Sequence, residues 1–219
     1  HMAHLLHTEK RYDEAIAVLE KAISSGENLP ELYLMLASVY ESKEAYDTAI
    51  EITRKGLALT EDNVELLFRL GVLLDKTGAK GASIEQMEKI LEIEPDNADA
   101  LNYIGYTYAE QGIKLETAME LILKAMKLKP DNGYIIDSLG WVYFQKGLYD
   151  DAIHYLKKAV RLSADDPTIH EHLGDAYAQK GDYEKALAYY KKALALDHPK
   201  EAQLKKKISE VQNRLKKNH

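Results

Sequence analysis

A period of 34 residues constrains the fold of this chain more than any other feature of its sequence. A small residue recurs along the chain, and a Leu or Ile stands directly before it each time. The intervals between successive small residues are 34, 34, 35 and 34. The residues are Ala37, Gly71, Gly105, Gly140 and Gly174. Repetition at this length is typical of a solenoid, in which one small structural unit stacks on copies of itself.

A second set of small residues predicts that each repeat is a pair of helices. These residues stand 12 or 13 places after the first set, at Ala49, Ser83, Ala118, Ala152 and Ala186. The apolar residues between Ile136 and Tyr143 follow the i, i+3, i+4, i+7 spacing of a helix face, and the same spacing resumes after Gly147. Two short amphipathic helices joined at this glycine are therefore expected, with small residues where their backbones cross.

Two segments carry a resemblance to a known family, the tetratricopeptide repeat (TPR) proteins. One segment runs from Leu139 to Gly147 and continues from Tyr149 to Ile153, and the other joins 173–177 to 181–187. The resemblance covers nearly the whole chain and implies an all-α fold, a right-handed superhelical solenoid of stacked antiparallel helix pairs. The predicted solenoid covers 1–200, with a partial first repeat at 3–29 and full repeats at 30–63, 64–97, 98–132, 133–166 and 167–200.

The segment 201–219 is predicted to be a basic amphipathic capping helix. One apolar stripe runs along this segment, formed by Leu204, Ile208, Val211 and Leu215. The last helix of a stack needs one apolar face and one solvent-exposed face. Residues 199–219 hold seven Lys and Arg against two Glu. The basic end is either a solvated cap or a contact for an anionic partner or a second molecule.

Two repeats depart from the pattern. In the third repeat, residues 77–83 contain two glycines, and Lys80 stands where Tyr12, Tyr46, Tyr149 and Tyr183 stand in the other repeats. This turn is predicted to be the softest joint of the stack, or else it is ordinary repeat variation. The fourth repeat has one extra residue near 112–115, in a turn where an insertion is usually neutral.

Candidate binding residues come from the first helix of each repeat. At about 100° per residue, the second, fifth, ninth and twelfth places of that helix point away from the packing face. In TPR proteins these places line a concave groove, so the resemblance implies a partner-binding surface there. The candidates are Phe68, Val72, Asn102, Tyr106, Tyr134, Asp137, Trp141, Phe144, Glu171 and Asp175. Alternatively, Trp141 and Tyr106 pack against a neighbouring repeat and serve only the stack.

The character of these residues predicts the chemistry of the partner. Large apolar groups left accessible are usually a binding site. TPR proteins that capture chaperone C-termini use Lys, Asn and Arg in the groove, and of these only Asn102 fits here. Acidic residues flank the aromatic ones, so the expected ligand is an apolar segment of a partner protein, helical or extended, that carries Lys or Arg.

Other functional classes find little support. The net charge of −7 argues against nucleic-acid binding, no apolar run is long enough for a membrane span, and the chain has no cysteine. His170 and His172 point to different faces of a helix, so no metal site is expected. No phosphate-binding loop or nucleophile constellation is present. We therefore expect a non-catalytic protein without cofactors.

Two functional hypotheses remain open. The first is an interaction scaffold, as in bacterial TPR proteins of pilus biogenesis, polysaccharide export or organelle-surface coats. The second is the substrate-recruiting segment of a larger enzyme such as a glycosyltransferase. The His1-Met2 start and the incomplete first repeat suggest a fragment. The compartment stays unknown, either cytoplasmic or periplasmic and envelope-associated in a bacterium. The open N-terminal end also allows self-association.

Overall fold

The computed structural model describes residues 2–26 and 29–217, and these form two compact units. The N-terminal unit ends at Ala100 and the C-terminal unit begins at Leu101. Residues 1, 27, 28, 218 and 219, which fall within the predicted solenoid, partial first repeat and cap, lie outside the described residues. The described part of the chain contains helices and no strand. The predicted all-α repeat fold is confirmed.

The helices follow one another in pairs. The N-terminal unit contains α1 (Met2–Thr8), α2 (Tyr12–Ser24), α3 (Pro30–Ser42), α4 (Tyr46–Leu57), α5 (Val64–Lys76), α6 (Lys80–Ile93) and the first turn of α7 (Ala98–Glu110). The C-terminal unit contains the rest of α7, α8 (Leu115–Leu128), α9 (Gly133–Gln145), α10 (Tyr149–Leu162), α11 (Pro167–Gln179), α12 (Tyr183–Ala195) and α13 (Glu201–Lys217). Each predicted full repeat thus holds one first and one second helix.

Polar residues between repeats start the next first helix. The side chain of Asn132 accepts hydrogen bonds from the backbone N–H groups of Tyr134 and Ile135 at 2.9 and 3.2 Å. Asn63 and Asp166 cap α5 and α11 in the same way. Such caps satisfy N–H groups that have no partner within the helix. Each of these three residues ends a repeat and acts as the start signal for the helix that follows.

The turn inside each repeat requires a left-handed backbone. Gly147, between α9 and α10, has φ +74°, a conformation that glycine adopts without steric cost. Glu44 takes this conformation where the second repeat has no glycine, with φ +58°. The extra residue of the fourth repeat is accommodated by two such positions, Gly112 at φ +67° and Lys114 at φ +46°. The insertion therefore lies in the turn and both helices of the repeat keep their length.

The recurring small residues mark the places where helices cross. A Cβ added to Gly140 would lie 2.7 Å from Leu156 Cγ, and one added to Gly174 would lie 2.5 Å from the ring of Tyr190. Beside these crossings, tyrosine rings stack between the first and second helices of the last two repeats. The ring centroids of Tyr143 and Tyr155 are 5.2 Å apart, and those of Tyr177 and Tyr189 are 5.7 Å apart.

The last helix packs as an amphipathic cap. Leu204 and Val211 of α13 are buried in the core of the C-terminal unit, and Ile208 and Leu215 pack against the same core. The predicted amphipathic helix at this end is confirmed.

Candidate functional site

A groove in the N-terminal unit brings several predicted positions together. It lies along the first helices, between α3, α5 and the start of α7, and has a volume of about 620 Å³. We call it the first-helix groove. Its lining residues are Leu34, Val64, Glu65, Phe68, Arg69, Val72, Asn97 and Asp99. Phe68 and Val72, the two candidates of the N-terminal unit, are both part of it.

The periodicity of α5 explains this placement. At about 100° per residue, Glu65, Phe68 and Val72 project from one side of the helix. Leu67 and Leu70, on the other side, are buried in the core. Five lining residues of the groove occupy the second, fifth or ninth place of a first helix, where the sequence predicted a groove. The sequence did not single out Arg69 and Asn97.

The basic side chain of the groove is held by an internal carboxylate. Arg69 Nη1 donates to Glu41 Oε2 at 2.6 Å, and Lys76 Nζ lies 3.4 Å from the other oxygen of the same carboxylate. The positive charge of Arg69 is therefore partly neutralised within the unit. Glu65 and Asp99, which also line the groove, leave it with an acidic character.

In the C-terminal unit, Trp141 lies at the centre of an aromatic stack. Its indole is stacked on Phe144 with a centroid distance of 4.5 Å and on His172 of α11 at 4.1 Å. The ring of Tyr106 lies 6.3 Å from His172. Tyr134, by contrast, is 57% exposed. Trp141 thus packs against the helix of a neighbouring repeat, which was the alternative interpretation of this residue.

Asp137 is buried and bound to a histidine. His172 Nδ1–H donates to its two carboxylate oxygens at 2.9 and 3.1 Å, and both side chains are almost fully buried. Burial by itself would lower the pKa of His172. The carboxylate of Asp137, with those of Asp175 and Glu171 behind it, outweighs burial and raises this pKa above its ordinary value of 6.5.

Glu171 and Asp175 are bound by the C-terminal helix. Lys207 Nζ of α13 lies 2.8 Å from Glu171 Oε1 and 2.6 Å from Asp175 Oδ2. The hydroxyl of Tyr190 donates to Asp175 at 2.7 Å. Burial would raise the pKa of Glu171, but the hydrogen bond and charge of Lys207 lower it overall. Burial would likewise lower the pKa of Lys207, and its two carboxylate partners raise it.

His198, in the loop before α13, adds a further contact to this network. Its Nδ1 accepts the backbone N–H of Lys200 at 3.0 Å, so the ring proton is on Nε2. Nε2 lies 2.8 Å from Glu171 Oε2, within ion-pair distance but outside hydrogen-bond alignment. The loop and the last helix are thus held to α11 through the same carboxylate.

These contacts correct one part of the sequence interpretation. Asp137, Glu171 and Asp175 were expected to flank an open groove and to select a basic ligand. The structure instead places them in internal contacts with His172, Lys207 and His198 because the facing helix supplies a basic residue. The sequence does contain basic residues about one repeat after these acidic residues, but that spacing alone is weak evidence for a contact between them.

Two polar atoms of the aromatic region are buried without a hydrogen-bond partner among the described residues. They are Asn102 Oδ1 and Trp141 Nε1. Asn102 and Tyr106 lie one turn apart on α7, and Asp137 and Trp141 lie one turn apart on α9. The C-terminal unit therefore combines a packed aromatic stack with unsatisfied polar groups.

Sequence comparison identifies the family. Three family models, each described as tetratricopeptide repeat, match residues 138–200, residues 87–120, and residues 1–25, 30–63 and 64–97. Together these matches cover well over half of the chain. The chain belongs to the tetratricopeptide repeat family. No curated protein matches it significantly.

Several solved structures resemble the chain in fold. A TPR protein of Thermus thermophilus is 24% identical, with a TM-score of 0.71 over 84% of this chain and 98% of that one. The MamA protein is 26% identical, with a TM-score of 0.58 over 80% of this chain and 94% of that one. Cut9–Hcn1 of the APC/C is 18% identical, with a TM-score of 0.81 over 96% of this chain and 41% of that one. The similarities to the Thermus thermophilus protein and to Cut9–Hcn1, both below 25% identity, show the fold alone.

The described residues form neither a membrane-spanning helix nor a cluster of metal ligands. Within 2–26 and 29–217, no helix is long and apolar enough to cross a membrane. The same residues contain no group of three or more His, Cys, Asp or Glu side chains arranged to hold a metal ion.

Proposed function

We propose that this TPR protein is a non-catalytic scaffold whose first-helix groove binds an apolar segment of a partner protein that carries Lys or Arg. The general class, a protein–protein interaction scaffold, follows from the family. The site and the nature of the ligand are our proposal. The observation that carries it is the groove of about 620 Å³ with Leu34, Phe68 and Val72 in its lining.

The apolar lining favours a side chain or short segment of a protein. Ligand sites are concave and mostly apolar, with a few polar groups that fix orientation. Phe68 and Val72 come from adjacent turns of α5, and Leu34 comes from the first helix of the preceding repeat. A segment lying across the first helices would contact all three side chains.

Charge favours a basic residue in that segment. Glu65 and Asp99 line the groove, and the guanidinium of Arg69 is already bound to Glu41. The lining of the groove is therefore acidic, and its one basic side chain is already paired. Electrostatic complementarity of this kind contributes to specificity and to the association rate more than to affinity.

The C-terminal unit is proposed to make a separate and smaller contribution. Tyr134 is exposed, Trp141 and Phe144 form the aromatic stack with His172, and Tyr106 and Asn102 lie one turn apart on α7. Because Asp137, Glu171 and Asp175 are held internally, they select no basic ligand here. We therefore place the recognition of Lys or Arg in the N-terminal unit.

Selection of peptides from a random displayed library on the intact chain tests this proposal. We expect enrichment of sequences with apolar residues beside Lys or Arg. Phe68→Ala should weaken a selected peptide about tenfold, a typical loss for a buried aromatic contact. Leu59→Ala removes an exposed apolar side chain outside the groove and is the matched control.

The same experiment separates the two units. If affinity survives Phe68→Ala and is lost in the Trp141→Ala, Phe144→Ala double variant, the site lies in the C-terminal unit and the groove proposal is wrong. Selection of acidic peptides would contradict the charge argument. Circular dichroism on each variant excludes unfolding as the cause of a loss.

Self-association through the N-terminal end remains a second proposal. It is supported by Met2 and Leu5 of α1, which are large apolar residues exposed on a short helix. Light scattering of the chain against Leu5→Lys would test it, because a charge at this contact should reduce the mass if the chain associates there. The substrate-recruiting role within a larger enzyme is compatible with the same groove.

A further inference from the structure

A second cleft lies on the opposite side of α5 from the groove. It is bounded by α4, the loop after it, α5 and α6, and has a volume of about 690 Å³. We call it the second-helix cleft. Leu67, Leu70 and Leu74 form its floor and are only 3%, 5% and 7% exposed. The cleft therefore has an apolar base within the core of the N-terminal unit.

The corresponding place one repeat earlier is much smaller. There the cleft has a volume of about 280 Å³ and lies between α2, α3 and α4. The two clefts are lined by residues that stand 34 places apart in the sequence. At four of these pairs, the side chain in the second-helix cleft leaves more space than its counterpart one repeat earlier. The differences are Leu67 for Tyr33, Leu74 for Tyr40, Ala82 for Thr48 and Gln86 for Ile52.

The chain fills this place with aromatic rings elsewhere. Leu74 and Gln86 correspond to Tyr143 and Tyr155, whose stacked rings are 2° from parallel, and one repeat later to Tyr177 and Tyr189. In the third repeat neither ring is present. The cleft thus lies where the last two repeats hold an aromatic pair, and a ring from outside would contact an apolar floor there.

The rim of the cleft is acidic. Glu61, Asp62, Glu85 and Glu92 stand against Arg54 and Lys89. At the floor, Gln86 Nε2 donates to the backbone oxygen of Ala82 at 3.3 Å, which fixes the amide within reach of a polar group on an incoming ring. An aromatic ring that carries a hydroxyl, next to a positive charge, matches both features.

We propose that the second-helix cleft is a second binding site of this scaffold, for a protein segment that inserts one aromatic side chain with a Lys or Arg beside it. The site is independent of the first-helix groove, since the two lie on opposite faces of α5 and share no lining residue. The turn at Lys80, which the sequence predicts to be the softest joint of the stack, lies at the start of α6. This helix forms one wall of the second-helix cleft.

Tyramine, a phenol ring with an ammonium group, is a direct probe of this site. With leucine and valine methyl groups labelled for NMR, titration of the full chain should shift the methyl signals of Leu67, Leu70 and Leu74 saturably. The methyl signals of Leu34 and Val72 report on the first-helix groove separately, and the variants of the second-helix cleft should leave their response to tyramine unaltered. We expect weak binding, because a fragment of this size gains little free energy. 4-Hydroxyphenylacetate, with the same ring and a negative charge, should bind about threefold more weakly or worse.

Variants that restore the missing rings decide the outcome. Leu74→Tyr with Gln86→Tyr should abolish the shifts, and Gln86→Tyr alone should weaken them if the double variant does not fold. The absence of saturable shifts, equal binding of the two probes, or binding that Gln86→Tyr leaves as strong as in the wild type would overturn the proposal.

Discussion

Four glycines inside helices allow one substitution to be tested in four defined surroundings. Replacing Gly by Ala in a helix gains about 0.5–1 kcal/mol, because alanine has the higher helix propensity and restricts the unfolded chain. Extra volume in a packed core costs about 1–3 kcal/mol. The position of the new Cβ decides which effect is larger.

The structure gives a different neighbour at each site. A Cβ on Gly81 meets nothing within 4 Å, and one on Gly71 meets the flexible end of Met87 at 2.5 Å and the backbone oxygen of Ser83 at 3.3 Å. On Gly140 it lies 2.7 Å from Leu156 Cγ and 3.2 Å from the backbone nitrogen of that residue. On Gly174 it lies 2.5 Å from two ring atoms of Tyr190, whose hydroxyl is bound to Asp175. The neighbours therefore become less able to move in that order.

The expected changes in the free energy of unfolding follow this order. Gly81→Ala should stabilise by about 0.5 kcal/mol, since only the propensity changes at this site near the helix start. Gly71→Ala should be close to neutral. Gly140→Ala should destabilise by about 1–2 kcal/mol and Gly174→Ala by about 2–3 kcal/mol, because overpacking exceeds the propensity gain.

Urea unfolding curves, monitored by far-UV circular dichroism, measure these changes. The slope of the transition should be the same in every variant, because a changed slope would indicate an altered unfolded state. The ranking is the decisive result. If Gly174→Ala is no more destabilising than Gly71→Ala, or if Gly81→Ala destabilises, then the close approach of the helices is not what requires glycine.

Two further predictions concern the buried charges of the C-terminal unit. Folding raises the pKa of His172, so the contribution of this residue to stability is complete below pH 6.5 and is lost as the pH rises through the folded pKa. The urea midpoint of the wild type should therefore fall over this pH range, and that of His172→Gln should not. A difference between the two midpoints that stays constant with pH would contradict this prediction. Lys207→Met should cost about 1–3 kcal/mol, a value reduced for partial exposure, because it leaves two largely buried carboxylates without a cation. Adding Glu171→Gln and Asp175→Asn should recover most of that loss, whereas the exposed Lys205→Met should be nearly neutral; a neutral Lys207→Met would refute the argument.

The fold could be predicted from the sequence because it depends on features that every repeat restates. Residues such as Gly140 and Ala152 follow the period, and each marks a helix crossing that the structure contains. Asn132 closes one repeat and caps the next helix. Such local signals need no knowledge of distant contacts.

The candidate site could be predicted only in part. Phe68 and Val72 line a groove because their direction is set by the helix that carries them. The state of Asp137 depends instead on His172, which lies 35 residues away on another helix. Similarly, the second-helix cleft is lined by residues of three helices, so its shape depends on several positions at once. The direction of a side chain on its helix follows from the local sequence. Charge pairing and packing volume depend on neighbouring repeats together, so they cannot be predicted from one repeat alone.

The position of Trp141 has a practical consequence for spectroscopy. It is the one tryptophan of the chain and lies in the C-terminal unit, stacked on the imidazole of His172. Tryptophan emission therefore reports on the C-terminal unit, and its intensity depends on the charge of a neighbouring ring that titrates. An unfolding curve recorded by fluorescence says nothing about the N-terminal unit. Agreement between fluorescence and circular dichroism would be evidence that the whole chain unfolds as one cooperative body.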